Sequence, residues 1–329
     1  MAGERLRGDA IVPASDAPEG QTFARRGTRW IAYVNFVKLP HTLFAMPFAL
    51  VGVVLASYRV AVTWPMVGWI VLAFTCARFA AMGFNRIVDR DIDARNPRTR
   101  QRELPAGVLR VAEASAAVGI TSLLFLYAAW RLNHLCAILS PLALAWVFFY
   151  SYTKRFTRWS HLVLGVGLAI APVGGYVAVT GSWSTPWWML AALALAVTTW
   201  SAGFDVLYAL QDVDFDRTHR LHSLPAAVGE QRALVIARGL HVATVCFLAA
   251  VGAATFTGTH AGSLYATGVV VAAGLLVYEH SLVRPDDLSR LDAAFFTMNG
   301  VISIAFFLCV LLERLLNPTG VLYAALPRH

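Results

Sequence analysis

Charge is scarce in this chain. Of 329 residues, 14% are Asp, Glu, Lys or Arg, while 58% are hydrophobic and the mean hydropathy is +0.60. Soluble domains carry about 25% charged residues, and one water-soluble globule cannot hide this much apolar surface, so much of the chain faces lipid. Cysteine is equally sparse. Cys76, Cys136, Cys246 and Cys309 sit singly in apolar runs, which excludes a disulfide scaffold and a thiolate metal site and leaves them as small hydrophobes. No apolar stretch precedes residue 30 that could serve as the core of a cleavable signal peptide, so residues 1–29 read as a mobile cytoplasmic tail. Carboxylates are outnumbered, 19 against 27 basic residues, for a net charge of +8. In so apolar a chain that excess reports topology and an anionic partner at the membrane surface, and no nucleic-acid partner is expected.

What is present in abundance is apolar sequence. A membrane-spanning helix needs about 20 mostly apolar residues, and nine segments qualify: 40–58, 65–88, 112–131, 135–151, 161–180, 187–211, 233–256, 262–280 and 292–313. The amphipathic stretch from Trp30 to Lys38 reads as an interfacial helix ahead of the first. Residues 30–329 then form a single transmembrane domain of all-α class with nine spans. The N-terminal region and the even-numbered loops hold 22 of the 27 basic residues, and the odd-numbered loops and C-terminus hold Arg59, Arg131, Arg314 and Arg328. This bias predicts a cytoplasmic N-terminus, a C-terminus on the far side, and insertion in a bacterial inner membrane. Of the carboxylates only Glu313 falls outside.

The two long cytoplasmic loops are alike. Asn85–Gly107 and Tyr208–Gly229 each carry three Asp at alternate positions, then basic residues, then Leu-Pro. On a helix turning about 100° per residue, with Arg78 at zero, Asn85 lies at about −20°, Asp89 at about +20° and Asp93 at about +60°, whereas Asp91 points away at about −140°. At the end of the sixth span Asp205, Asp212 and Asp216 fall within about 20° of one another's mean direction. Two helices thus present acidic stripes where they leave the membrane. Carboxylates there are costly unless they meet ions, water or protein. Two stripes of oxygen ligands repel each other unless cations lie between them, and hard oxygen donors suit Mg²⁺, which completes its octahedron with water and phosphate. Lys38, Arg98, Arg100, Arg102, Lys154, Arg155 and Arg220 supply anion clamps. Metal and cations beside lipid point to a lipid diphosphate.

The pattern Asn85-x3-Asp89-x3-Asp93 with Arg102-x-Leu104-Pro105-x-Gly107, and the second pattern Asp205-x6-Asp212-x3-Asp216, resemble the UbiA superfamily of intramembrane aromatic prenyltransferases. So do the segment Tyr150–Arg155 and the segment Tyr278–Gly300, and the resemblance runs over roughly residues 35–313. It implies helices around a central cavity open at the cytoplasmic side, with Mg²⁺ as cofactor. It further implies a polyprenyl diphosphate and an aromatic acid as partners within membrane lipid. By family position Asn85, Asp89 and Asp93 form one metal and diphosphate site, and Asp212 and Asp216, with Asp205 on the same stripe, form the other. Tyr150 and Lys154 contact the diphosphate or shield the allyl cation, and Lys38 and Arg102 clamp it. The family places an arginine at Arg78 against the acceptor's carboxylate. That makes Asp89, Arg78 and Asp212 the residues on which turnover rests, and 4-hydroxybenzoate the expected acceptor, as in ubiquinone synthesis. A dihydroxynaphthoic acid from an alternative menaquinone route fits the same clamp.

The chain departs from many members in having Arg86 after Asn85, which removes a possible acidic ligand and leaves the ion count open. Arg78 read without the family could be an ion-pair partner of Asp89 or Asp205. Asp91 and Asp214 read as solvated. His41, His134, His161 and His260 have no partner spacing and read as interfacial residues. Gly165, Gly167, Gly174 and Gly175 read as points of close helix approach. A secondary transporter would share the many helices and charged cavity, but its site belongs near the bilayer midplane, whereas these acids cluster at helix ends.

Overall fold

The computed structural model describes residues 29–37, 39–259, 261–284, 288, 290–291 and 297–318. Among them there is no β-strand. Helices run α1 (Arg29–Phe36), α2 (Leu39–Ala56), α3 (Trp64–Arg95), α4 (Val111–Leu132), α5 (His134–Thr153), α6 (Ser160–Thr180) and α7 (Trp187–Tyr208). A 3₁₀ turn (Ala209–Asp212) leads to α8 (Val213–Thr218), then come α9 (Leu224–Val228), α10 (Glu230–Phe256), α11 (Ser263–Leu282) and α12 (Asn299–Leu316). Eight of these are long and apolar enough to cross a membrane: α3 to α6, α7 with its extension to Thr218, and α10 to α12. At the position of the first expected span the described apolar helix is shorter, Ala45–Ala56. Residues 1–28 of the tail and Lys38 lie outside the described residues, as does His260.

Helix boundaries follow local chemistry. Thr63 precedes α3 in an extended conformation, and Pro65 occupies its first turn, where no N–H is needed. The helix stops at Asn96 because Pro97 crowds a helical conformation at the residue before it, and Asn96 is extended at φ −83°, ψ 120°. Asn133 caps α5, accepting from the Cys136 N–H at 2.9 Å, and its amide donates to the Val177 and Ala178 carbonyls near the end of α6. In a medium without water such partners are what make a helix end tolerable. The same logic shapes the end of the bundle opposite the acids. Buried Glu313 near the end of α12 accepts from the Leu264 and Tyr265 N–H groups in the first turn of α11, at 2.8 and 3.3 Å. Its neighbour Arg314 donates to the Ser57 hydroxyl and carbonyl just past α2, at 2.9 and 3.1 Å.

Consecutive helices pack side by side from α3 to α7, then α10 to α12, and α12 returns to pack on α2, which lies against α6. The most enclosed helix is α7, flanked by α6 and α10. Trp200 of α7 stacks among Phe48 at 4.5 Å and Phe204 at 5.0 Å between ring centres. Large apolar side chains such as Leu123, Leu142, Val242, Val270 and Val277 stand on the outside, as lipid requires. The helix expected in the interface, α1, packs on the bundle: Phe36 is fully buried, edge-on to Phe79 of α3 and in one cluster with Leu109 and Ala114.

Two of the four glycines expected at close crossings are there. A Cβ on Gly165 would sit 2.3 Å from the Thr198 carbonyl oxygen of α7, and one on Gly175 would sit 2.5 Å from the Ala49 carbonyl oxygen of α2. Gly167 makes only ordinary contact and Gly174 meets nothing within 4 Å. Gly165→Ala is therefore expected to force α6 and α7 apart and cost about 1–3 kcal/mol. Gly174→Ala should leave the detergent-solubilised melting temperature unchanged or slightly raised. Equal melting points for the two variants would mean that the α6–α7 crossing has room for a methyl group after all.

Candidate active site

The long helix α3 outruns the membrane. Its last three turns carry Asn85, Asp89 and Asp93 at four-residue steps, so all three stand on one face. Asp89 is 2% exposed and Asp93 5%, whereas Asp91 faces solvent beside Arg90. After the stop at Asn96-Pro97 the chain folds back over the helix end. The Asn96 side chain accepts from the Arg98 N–H at 2.9 Å, and the Thr99 hydroxyl donates to the Asp93 carbonyl at 3.0 Å. This turn swings Arg98 and Arg102 over the acids.

The second stripe is built differently from the continuous helix that the spacing suggests. Helix α7 ends at Tyr208, and Asp212 closes a 3₁₀ turn ahead of α8, which holds Asp216. Tightening four residues from about 100° to about 120° per residue rotates the next segment by about 80°, so the three Asp no longer share one face of one helix. They still line one cavity, because the break brings Asp212 under Arg98 and Asn96. Asp214 is exposed.

In this structure Asp89, Asp93, Asp205 and Asp212 are each paired. Lys154, capping α5, lies 2.6 Å from Asp89 Oδ2, where the Asn85 amide also donates at 3.2 Å. Arg155 reaches Asp89 Oδ1 at 3.4 Å. Arg102 bonds Asp93 Oδ1 at 2.8 Å. Arg98 grips Asp212 through Nε at 3.1 Å and Nη2 at 2.5 Å and bonds the Tyr208 hydroxyl at 3.0 Å, while Asn96 donates to Asp212 at 3.0 Å. Asp205 meets His161 Nδ1 at 2.6 Å. The Leu224 N–H donates to the other ring nitrogen of His161 at 3.2 Å, so Nε2 is the acceptor and Nδ1 carries the proton donated to Asp205.

Beneath these pairs opens a cavity of about 720 Å³. Asn85, Asp89, Asp93, Arg102, Lys154, Asp205, Asp212 and Asp216 line its polar end. Its walls come from α2 to α8, and among the described residues none of the lining ones belongs to α10, α11 or α12. Those three helices buttress α7 from behind. Arg78 lines the cavity two turns deeper than Asn85, with Tyr150 within electrostatic reach. Its Nε is buried without a hydrogen-bond partner, and among the described residues it makes no ion pair, since Asp89 and Asp205 are engaged elsewhere. Around and below it the lining is apolar: Phe48, Phe74, Ala77, Met82, Trp200 and Phe204. Phe125 of α4, Leu139 and Leu142 of α5 and Val166 of α6 also line the cavity, and the last three are exposed on the outer surface.

Among the described residues no three carboxylates, histidines or cysteines converge into a ready-made metal cage. The donor set still fits a hard cation that keeps open positions for a ligand. Asp93 Oδ2 is buried and has no partner, and Mg²⁺ is commonly held by one or two carboxylates with substrate phosphate completing its shell.

The model of the UbiA prenyltransferase family matches residues 45–309. The chain belongs to that family. It is 31% identical to a 4-hydroxybenzoate octaprenyltransferase from Sodalis glossinidius over 242 residues, 72% of this chain and 79% of the relative. It is 29% identical to the enzyme of the same name from Edwardsiella ictaluri over 87% of this chain and 97% of the relative. A UbiA homologue from Aeropyrum pernix K1 superposes with a TM-score of 0.74 at 32% identity, covering 83% of this chain and 98% of that one. A homologue from Archaeoglobus fulgidus, solved with GPP and Mg²⁺, shares the fold at 18% identity, with a TM-score of 0.68 over 86% of this chain and 99% of that one. The protein is thus an integral membrane prenyltransferase of the UbiA family.

The cavity of this UbiA-family enzyme is lined by Arg78, Asn85, Asp89, Asp93, Arg98, Arg102, Tyr150, Lys154, Asp205, Asp212 and Asp216, whereas Arg100, Arg155 and Arg220, also expected as clamps, are not among its lining residues; Lys38 lies outside the described residues. The cavity also holds residues that sequence reasoning passed over. His161, read as interfacial, holds Asp205 from 44 positions away, and nothing local announces that pairing. Asn96 is another such residue, and its side chain joins the end of α3 to Asp212.

Proposed function

We propose that the protein transfers a polyprenyl group from its diphosphate to the ring carbon ortho to the hydroxyl of 4-hydroxybenzoate. The observation that carries this reading is Arg78, a cation with a spare N–H in an apolar chamber, about 10 Å below the Asn85 level by the helical rise. A carboxylate bound there places the ring between Arg78 and the acidic rim.

Asn85, Asp89 and Asp93 on one side, with Asp212 and Asp216 on the other, would hold Mg²⁺ and through it the diphosphate. A divalent cation bound there supplies charge neutralisation to the departing diphosphate. Arg98, Arg102 and Lys154 each exchange a carboxylate for a phosphate oxygen and take up the negative charge as the bond from C1 of the prenyl group to oxygen breaks, its electron pair leaving with the diphosphate. The ring carbon forms the new bond to C1 with a pair of ring electrons, and the ring then regains aromaticity by giving the proton on that ring carbon to the departed diphosphate. Tyr150 presents its ring beside the cation, and the apolar walls keep water from capturing it. Asp205, fixed by His161, stands on the same rim. Residues 30–329 act as one transmembrane domain with the acidic rim at the cytoplasmic face.

Purified protein with Mg²⁺, a polyprenyl diphosphate and 4-hydroxybenzoate should form prenylated acid and release pyrophosphate in equal amounts. In competition with a dihydroxynaphthoic acid, 4-hydroxybenzoate should be consumed first. Preferential consumption of the naphthoate would reassign the acceptor. Solute flux in liposomes without product would reassign the class.

A further inference from the structure

Several residues that line the cavity carry buried polar atoms without partners, Arg78, Ser151, Trp200 and Ser223 among them, and two such atoms belong to residues two turns apart near the end of α3 and within electrostatic reach of each other. One is Oδ2 of Asp93. The other is Nη1 of Arg86. Arg86 is 3% exposed, lines the cavity, and lies within electrostatic reach of Arg102, Glu103, Asp93 and Tyr208. A buried guanidinium kept only for structure would spend its N–H groups on the nearest carboxylate oxygen. Here a spare donor and a spare acceptor coexist without bonding each other, although leaving either one unsatisfied is costly.

The two vacancies have opposite chemistry: Asp93 Oδ2 wants a cation or a donor, and Arg86 Nη1 wants an acceptor. Resting on the prenyl diphosphate reading of this cavity, we propose that Arg86 is a diphosphate-binding residue, donating Nη1 to a phosphate oxygen while the neighbouring Asp93 oxygen takes the divalent cation. A metal–diphosphate complex fills both vacancies at once, which neither a free anion nor a free cation does. Arg86 differs in this from Arg98, Arg102 and Lys154, which must first release Asp212, Asp93 and Asp89. Arg86 is ready without rearrangement. It also stands two turns above Arg78 on α3, about 12 Å along the axis, so one helix carries a spare cation for each substrate, a carboxylate below and a phosphate above. The fixed charge of Arg86 adds to the cation charge on the Asp93 side, so binding there leans less on a second metal ion.

The test uses full-length protein in detergent and a non-reactive donor, geranyl S-thiolodiphosphate with Mg²⁺, with affinity read by calorimetry and the melting temperature measured alongside. Arg86→Gln should weaken the analogue about 10- to 100-fold and leave the aromatic-acid KM unchanged. Arg86→Lys keeps the charge but loses the fork, and should bind about 3- to 10-fold more weakly than wild type. Wild-type affinity in a folded Arg86→Gln protein would overturn the proposal. If that variant does not fold, Arg86→Lys decides, and wild-type affinity there overturns it equally. A parallel loss of acceptor affinity would also overturn it, by showing a general disturbance of the cavity. Failure of the wild-type protein to bind the analogue would overturn the donor reading itself, whereas binding that is indifferent to Arg86 would sink this inference alone.

Discussion

Asp89→Asn is expected to lower kcat/KM for prenyl transfer at least about 10³-fold, which corresponds to about 4 kcal/mol of transition-state stabilisation. The substitution keeps shape and one acceptor oxygen, so the side chain still fits its 2% exposed site between Asn85 and Lys154. What it removes is the negative charge that holds a divalent cation and keeps Lys154 poised at the rim. The Mg²⁺ concentration at half-maximal rate should rise with it. Asp212→Asn should show a loss of similar size, because Asp212 is the carboxylate on the opposite wall that Arg98 and Asn96 hold in place. Product formation by chromatography, with the melting temperature as control for folding, reads both. A folded Asp89→Asn enzyme within tenfold of wild type would falsify the assignment of the metal to this wall.

The second large effect is on the acceptor. Arg78→Leu should weaken apparent affinity for 4-hydroxybenzoate, read as its KM, about 10- to 150-fold, the worth of one hydrogen bond to a charged group, with the diphosphate KM unmoved. A neutral acceptor separates recognition from structure. Wild-type enzyme should strongly prefer the acid to its methyl ester, because the ester leaves a buried guanidinium uncompensated. The variant should treat the two nearly alike. If KM rises equally for both substrates, Arg78 acts as a strut of the cavity and not as a reader of the acid. The absence of an ion pair to Arg78 among the described residues already weakens the strut alternative, since Asp89 and Asp205 are held by Lys154 and His161.

How much of this was legible in the sequence depends on how local each signal is. The face of α3 that carries Asn85, Asp89 and Asp93 follows from four-residue spacing on a helix, and the outward turn of Asp91 follows from the same arithmetic. The broken end of α7 does not. Leu207–Val213 holds neither proline nor glycine to mark a change of pitch, and the 3₁₀ turn is seen only once Asp212 meets Arg98 across 114 positions. His161 and Asp205 are a tertiary fact of the same kind. Which helices line the cavity is likewise unreadable from span counting, because hydropathy reports which segments enter lipid and not which of them enclose space. Arg86 is the reverse case: its oddness is plain in the sequence, and its unpaired N–H appears only with the fold.

The clasp formed by Glu313 and Arg314 constrains the order of assembly. Arg314 joins Ser57 across 257 positions, and at about 5–20 residues per second the ribosome needs roughly 13–50 s to make the intervening chain. Throughout that interval α2 is in the membrane without the side chain that donates to the Ser57 hydroxyl and carbonyl just past its end, and α11 emerges before the carboxylate that accepts from its first-turn N–H groups. The barrel-like ring is therefore an open stave until its final helix arrives. A truncation just before Glu313 removes little catalytic surface, yet it leaves two helix ends bare in lipid and exposes a nascent membrane enzyme to quality-control proteases at the last step of its synthesis.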